Sequence, residues 1–110
     1  MLSSPASTGG SMFSQRLADT DEEVRRIAIM DLLDSDFEEQ EIVDLLSRAL
    51  GDPSAIVRAA AAQTIEGYDY PQAIAALITA LRDDVAQVRE NAATTLAEIK
   101  SAELGPLLLA

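Results

Sequence analysis

At 110 residues the chain has room for one domain, and a globule of this size buries roughly two-thirds of the surface its unfolded form exposes. Apolar residues make up 48 % of it and aromatics only 4 %, so the core has to be assembled from Ala, Leu, Ile and Val, a mixture rich in helix formers. The absence of Cys and His removes disulfides, thiolate metal sites and the commonest general base, and a net charge of −11 repels nucleic-acid phosphates and anionic membranes.

Residues 1–11, MLSSPASTGGS, are rich in Ser, Gly and Pro and read as a flexible arm outside the fold. They lack the basic flank and apolar stretch of a signal peptide, and no run of about 18 apolar residues follows, so a cytoplasmic protein with no membrane span is expected. A short helix is predicted over 12–18, carrying Met12, Phe13 and Leu17. The next helix, 21–33, has a stripe of Val24, Ile27, Ala28 and Leu32. The helix over 38–50 carries Ile42, Leu45, Leu46, Ala49 and Leu50, spaced i, i+3, i+4, i+7, i+8. The 54–67 helix follows with Val57, Ala60, Ala61 and Ile65, and 71–82 with Ile74, Leu77, Ile78 and Leu81. The helix over 84–100 has Val88, Ala92, Leu96 and Ile99, its stripe interrupted by Asn91, and a last helix is expected over 103–109.

Local signals agree with these limits. Thr20 with Glu23 and Asp36 with Glu39 have capping-box spacing, and Asp21 and Ser54 are N-cap types at aligned positions. Gly51 and Gly67 stand where helices would end in the left-handed conformation, and Pro53, Pro71 and Pro106 fall near helix starts. No segment alternates with period two, so no strand is expected.

The chain repeats. Leu17-Ala18-Asp19 aligns with Leu50-Gly51-Asp52 and Leu81-Arg82-Asp83, at spacings of 33 and 31 residues. Val24-Arg25, Val57-Arg58 and Val88-Arg89 give the same two spacings, as do Leu32, Ile65 and Leu96; Asp36-Phe37 and Asp69-Tyr70 lie 33 apart. Agreement at several separate positions is the signature of a repeat array.

An Asp, a short loop, Val-Arg, small residues and then Leu or Ile resembles the HEAT-like repeat, most of all the variety found in phycobilisome-lyase-related proteins. The matching residues are Asp19/Val24/Arg25/Ala28/Leu32, Asp52/Val57/Arg58/Ala61/Ile65 and Asp83/Val88/Arg89/Ala92/Leu96. Leu104-Gly105-Pro106-Leu107-Leu108 matches the first helix of a further unit. The resemblance implies an all-α fold, a right-handed α-α superhelix (solenoid) of about three stacked helix pairs plus a terminal half-repeat. The repeats would span about 12–35, 36–68 and 69–101, with the half-repeat at 102–110. The half-repeat is either a capping helix or the start of a unit in a longer array; its apolar Leu107-Leu108-Leu109 favours the longer array.

Two residue sets are candidates for special roles. Asp19, Asp52 and Asp83 recur with Arg25, Arg58 and Arg89, which suggests a structural ladder in which each guanidinium reaches an acidic side chain or loop carbonyl of a neighbouring unit. An anion site is the alternative, and the regular recurrence argues for the ladder. Arg16 is expected to be a plain surface residue. On a solenoid of this type, outward positions of the second helices would line the concave face: Arg26, Ile29, Met30 and Leu33, then Ala59, Ala62, Gln63 and Glu66, then Glu90, Ala93, Thr94 and Ala97. Ile29, Met30 and Leu33 either pack beneath the first short helix or form an apolar patch for a partner helix.

The acids at 19–23 and 34–41 read as helix-start charges rather than a metal or acid–base site, since neither run has the glycine and ligand spacing of a calcium loop. Phe37, Tyr68 and Tyr70 are expected as spacers in the inter-repeat turns. No catalytic motif is present, so a non-catalytic, cofactor-free module is expected, binding a basic or amphipathic protein segment. The resemblance adds a bilin lyase subunit or chromophore chaperone as an alternative, for which only Arg26 would be on hand for a propionate. A helical-repeat DNA glycosylase would need a basic concave face, contrary to the charge.

Overall fold

The computed structural model describes the backbone of residues 12–65, 68 and 70–109, with side chains as far as Ile99. Helix α1 covers residues 12–17. Helix α2 is Glu22–Asp31, prolonged by a 3-10 turn at Leu32–Asp34; α3 is Glu39–Ala49, α4 Ala55–Thr64, α5 Pro71–Ala80 and α6 Ala86–Leu109. No strand occurs among the described residues. Helix α2 packs on α4 and α4 on α6, forming one row, while α3 packs on α5 in a second. The pairs α3–α4 and α5–α6 join the rows. Overall extents of 57 × 33 × 17 Å fit an elongated body two helices thick, each helix being about 10 Å across.

The repeat is visible in the burial pattern. Ala28, Ala61 and Ala92 occupy equivalent places and are all fully buried. Val57, Val88, Leu32 and Ile65 are sealed in the same way, and Leu46 and Leu77 anchor the first-helix row. Each such aliphatic side chain contributes about 1.5–3 kcal/mol on leaving water. The run of small side chains Ala59 to Ala62 in α4 lets α6 approach closely enough for side chain to meet backbone. Asn91 Nδ2 donates to the Ala59 carbonyl at 3.0 Å and Thr95 Oγ1 to the Ala62 carbonyl at 2.7 Å. The asparagine that interrupts the apolar stripe is thus an inter-repeat tie.

These ties also show which way each helix faces. Asn91 and Thr95 look back along the stack towards α4. Register then turns Ile27 of α2 back as well, where no second helix among the described residues precedes it, and it is 45 % exposed. Ile29 and Ala62 look forward, under the next helix, and are buried, whereas Ala93 in the same register is exposed. Ile27, expected in the core, therefore leaves it, while Ile29, for which a packed and an exposed place were both open, is buried. Ile78 and Leu81, expected in the core, are exposed for the same reason, because no described helix covers the forward side of α5.

Several local expectations change. Asp21, not Thr20, caps α2, its carboxylate accepting the Glu23 N–H at 2.9 Å. The Asp36–Glu39 box does not form: Glu38 is the N-cap of α3 and makes no side-chain cap bond. Gly51 is not left-handed. Its N–H bonds to the Arg48 carbonyl at 2.9 Å and that of Asp52 to Ala49 at 3.1 Å, a tight right-handed turn. The same turn forms at Ala18 and Arg82, so the position does not require glycine. Gly67 lies outside the described residues. Pro71 occupies the first turn of α5 as expected, but Pro106 lies within the helical backbone of α6. The turn expected near 101–102 is absent, since residues 100–104 contain neither glycine nor proline and the helix runs through them. Arg16 is no bystander, for it pairs with Asp31 at 2.7 Å and lies 5.3 Å from the Phe13 ring centre.

The Asp–Arg set forms a continuous chain of contacts. Arg25 donates from Nη1 to the Asp19 carbonyl in its own unit at 2.7 Å, and from Nε and Nη2 to both carboxylate oxygens of Asp52 in the next, each at 3.0 Å. Arg58 repeats this with the Asp52 carbonyl at 2.8 Å and with Asp83 at 2.8 and 3.1 Å. Arg89 holds the Asp83 carbonyl at 2.7 Å. The aspartates also shape the loops. Asp19, Asp52 and Asp83 accept the N–H two residues onward, from Asp21, Ser54 and Val85, at 2.8, 2.8 and 2.9 Å. Each rung thus fixes the loop that starts a second helix and clamps it to the unit before. The hydrogen bond from Arg58 pulls the Asp83 carboxyl below its ordinary range against the opposing effect of burial, and the Val85 N–H assists.

Three outcomes follow for stability. Arg58→Ala leaves Asp83 without its fork in a site where the two side chains are 15 % and 10 % exposed, and should cost about 2 kcal/mol. Arg82→Ala, at an exposed turn, should fall within about 0.5 kcal/mol of the parent; equal urea midpoints for the two variants would contradict the rung. Gly51→Ala should stabilise by about 0.4–1 kcal/mol, because an added Cβ meets only the Arg48 carbonyl at 3.5 Å and the unfolded chain loses freedom. Because the Asp83 pKa is depressed on folding, its contribution is complete above the unfolded carboxyl value of about 4 and fades as pH falls through the folded one. The stability gap between parent and Asp83→Asn, measured by denaturation, should therefore narrow on acidification below about pH 4.

Candidate functional site

The exposed side of the α2–α4–α6 row carries most of the residues singled out in the sequence. On α2, Arg26 is half-buried and donates from Nε and Nη2 to Glu23 Oε1 at 3.2 and 2.8 Å, with Nη1 3.3 Å from Met30 Sδ. The ion pair raises the guanidinium pKa. Met30 is 49 % and Leu33 50 % exposed, so these two do not pack away beneath α1. Ile29 does not belong to this surface; it is buried against the following unit. Gln63, Glu90 and Thr94 are exposed on α4 and α6, and Glu66 lies outside the described residues.

The register that aligns Met30, Gln63 and Thr94 also aligns Glu23, Ile56 and Gln87. Ile56 is 38 % exposed and joins the surface, a residue absent from the sequence-based set. The signal was available, since Ile56 falls between Ala55 and Val57 on the flank of the buried stripe and has a polar residue at both equivalent positions. Met30 and Leu33 are thus an exposed apolar pair at the end of α2, and Ile56 is a separate exposed aliphatic residue at the start of α4, level with Glu23 and about 10–15 Å away along the helix direction. The carboxylates Glu23, Asp34 and Asp36 are exposed as well.

The aromatic turn residues stand at the starts of α3 and α5. Phe37 packs on Phe13 with ring centres 5.4 Å apart, which ties α1 to the start of α3. Tyr70 donates its hydroxyl to Glu39 Oε1 at 3.0 Å, and Tyr68 is half-buried, its phenol pKa raised by burial and then by the Glu39 charge. A cleft of about 310 Å³ opens between α1 and the α2–α4 helices, walled by Leu17, Ile29, Leu45 and Val57 with the Arg25–Asp52 rung at one side. No group of three or more acids or other ligating side chains converges on a metal-sized site among the described residues. No helix among them is long and apolar enough to cross a membrane.

No curated protein matches the sequence. The family model for HEAT repeats matches residues 11–97, a span that takes in α1 through the first half of α6 and every rung of the Asp–Arg ladder. With paired helices in two rows, layers repeating at 33 and 31 residues, and a family match over most of its length, the chain belongs to the HEAT repeat proteins.

Proposed function

We propose that this HEAT repeat chain is a non-catalytic interaction module that receives a basic amphipathic helix of another protein across the exposed α2–α4–α6 side. The observation that carries the proposal is the exposed apolar pair Met30 and Leu33 at the end of α2, close in sequence to the exposed acids Asp34 and Asp36, with Ile56 exposed farther along the same row. Exposed aliphatic side chains spread over this distance supply anchoring points for a helix laid across the row. The charge supplies steering: residues 1–52 hold twelve acids against four arginines, and residues 53–110 seven acids against four cations. Gln63, Glu90 and Thr94 would extend the contact with polar groups at its rim. HEAT repeats in general mediate protein–protein contact, which agrees with this use of the surface. The bilin reading draws less support, because Arg26, the one guanidinium for a propionate, is already held by Glu23.

The test uses a labelled Leu/Lys amphipathic helix of about 18 residues and its Leu/Glu counterpart, titrated by fluorescence anisotropy. The basic peptide should bind with Kd of about 10 μM, weaken as salt is raised, and weaken a further tenfold or so against the Met30→Asp/Leu33→Asp chain. Equal binding of both peptides, or no loss in the double variant, would remove this surface as the site.

A further inference from the structure

We infer that the two ends of the stack are complementary and that a second copy of this chain docks head to tail, the Asp19 turn of one copy seated on Arg89 of the other. The inference is independent of the partner proposed for the exposed row. Within the chain every rung needs an arginine from one unit and an aspartate from the next. Arg25 and Arg58 satisfy both requirements, each binding its own loop carbonyl and forking onto the following carboxylate. Arg89 completes only the first half. It is exposed, it donates Nη1 to the Asp83 carbonyl, and no carboxylate among the described residues takes its fork. Asp19 is the reverse case. Its carboxylate accepts the Asp21 N–H as its counterparts do, but no guanidinium among the described residues hydrogen-bonds it.

The apolar surfaces beside these half-rungs are also those that successive units bury. Ile78 and Leu81 are 54 % and 38 % exposed on the forward side of α5, and Ala93 is exposed on the forward side of α6. Ile27, 45 % exposed, faces backward at the other end. Inside the chain, Ala60 and Asn91 fill the place of Ile27 and are covered by the preceding helix. The operation that carries one unit onto the next therefore brings the Ile27–Asp19 end of a second copy onto the Ala93–Arg89 end of the first. Such a contact is heterologous, so it can propagate beyond two copies. Charge favours this direction over head-to-head pairing, since the acid-rich half of one copy meets the less acidic half of the other. A forked Arg–carboxylate pair fixes orientation as well as adding attraction.

Sedimentation velocity on the 110-residue chain, from about 10 μM to 1 mM in about 0.15 M salt, should show an average mass that rises with concentration. Arg89→Glu and Asp19→Arg should each lower the association constant about tenfold, because each sets like charges against each other at the joint. An equimolar mixture should recover association, since each variant retains one native end and the altered ends also match in charge. Ile78→Lys tests the same end at an exposed site away from the ladder and should weaken association while leaving the melting curve in place. A parent chain that stays monomeric throughout, an Ile78→Lys chain that associates like the parent, or a mixture no heavier than its components would overturn the inference.

Discussion

The structure depends on a guanidinium that binds in two directions. Without it, two stacked helix pairs are held by aliphatic surface, which is indifferent to small rotations and slips, and by single polar ties such as Asn91 to Ala59 and Thr95 to Ala62. The fork of Arg25 or Arg58 onto the next unit's carboxylate has one favourable geometry, and the third nitrogen grips the arginine's own loop carbonyl. Burial of leucine and isoleucine supplies most of the stabilisation, while the rung selects the register in which that burial occurs. The aspartate at the centre of the rung also turns the chain into the second helix, so a single side chain couples loop shape to stacking.

Much of this was legible in the sequence. The spacings of 33 and 31 residues place Asp52 and Asp83 in equivalent turns and Val57 and Val88 in equivalent layers. The amphipathic stripe of α3 reads directly onto the core, because that helix has neighbours on every side the stripe faces. Less was legible at the ends of the stack. A hydrophobic period identifies a face, but not whether the next unit covers it. Ile27 and Ile78 fit their stripes and are exposed; Ile29 falls off its stripe and is buried. A second helix in a solenoid has three occupied sides, one towards its partner and one towards each neighbouring unit, so a two-sided reading places some of its residues wrongly. The candidate surface suffered for that reason, keeping Met30 and Leu33, losing Ile29 and missing Ile56.

Turn chemistry was the other weak point. A glycine after a helix suggests a left-handed residue, yet the alanine and arginine at the matching positions already showed that the turn makes no such demand. Capping pairs were likewise read locally, whereas Ser54 turns its hydroxyl to Glu22 of the preceding unit rather than to the start of its own helix. Side chains near a repeat boundary have partners in two units, and spacing along the chain reveals only one of them.

The alanines of α4 have one more consequence. Ala59 to Ala62 allow α6 to sit against the backbone of α4, and the α2–α4–α6 row is packed more tightly than α3–α5, where leucine, valine and isoleucine hold the helices apart. A layer thinner along one row than along the other would act as a wedge. Curvature in such an array is set by side-chain volume, so exchanging bulk between the rows would change it without altering a single hydrogen bond of the rungs.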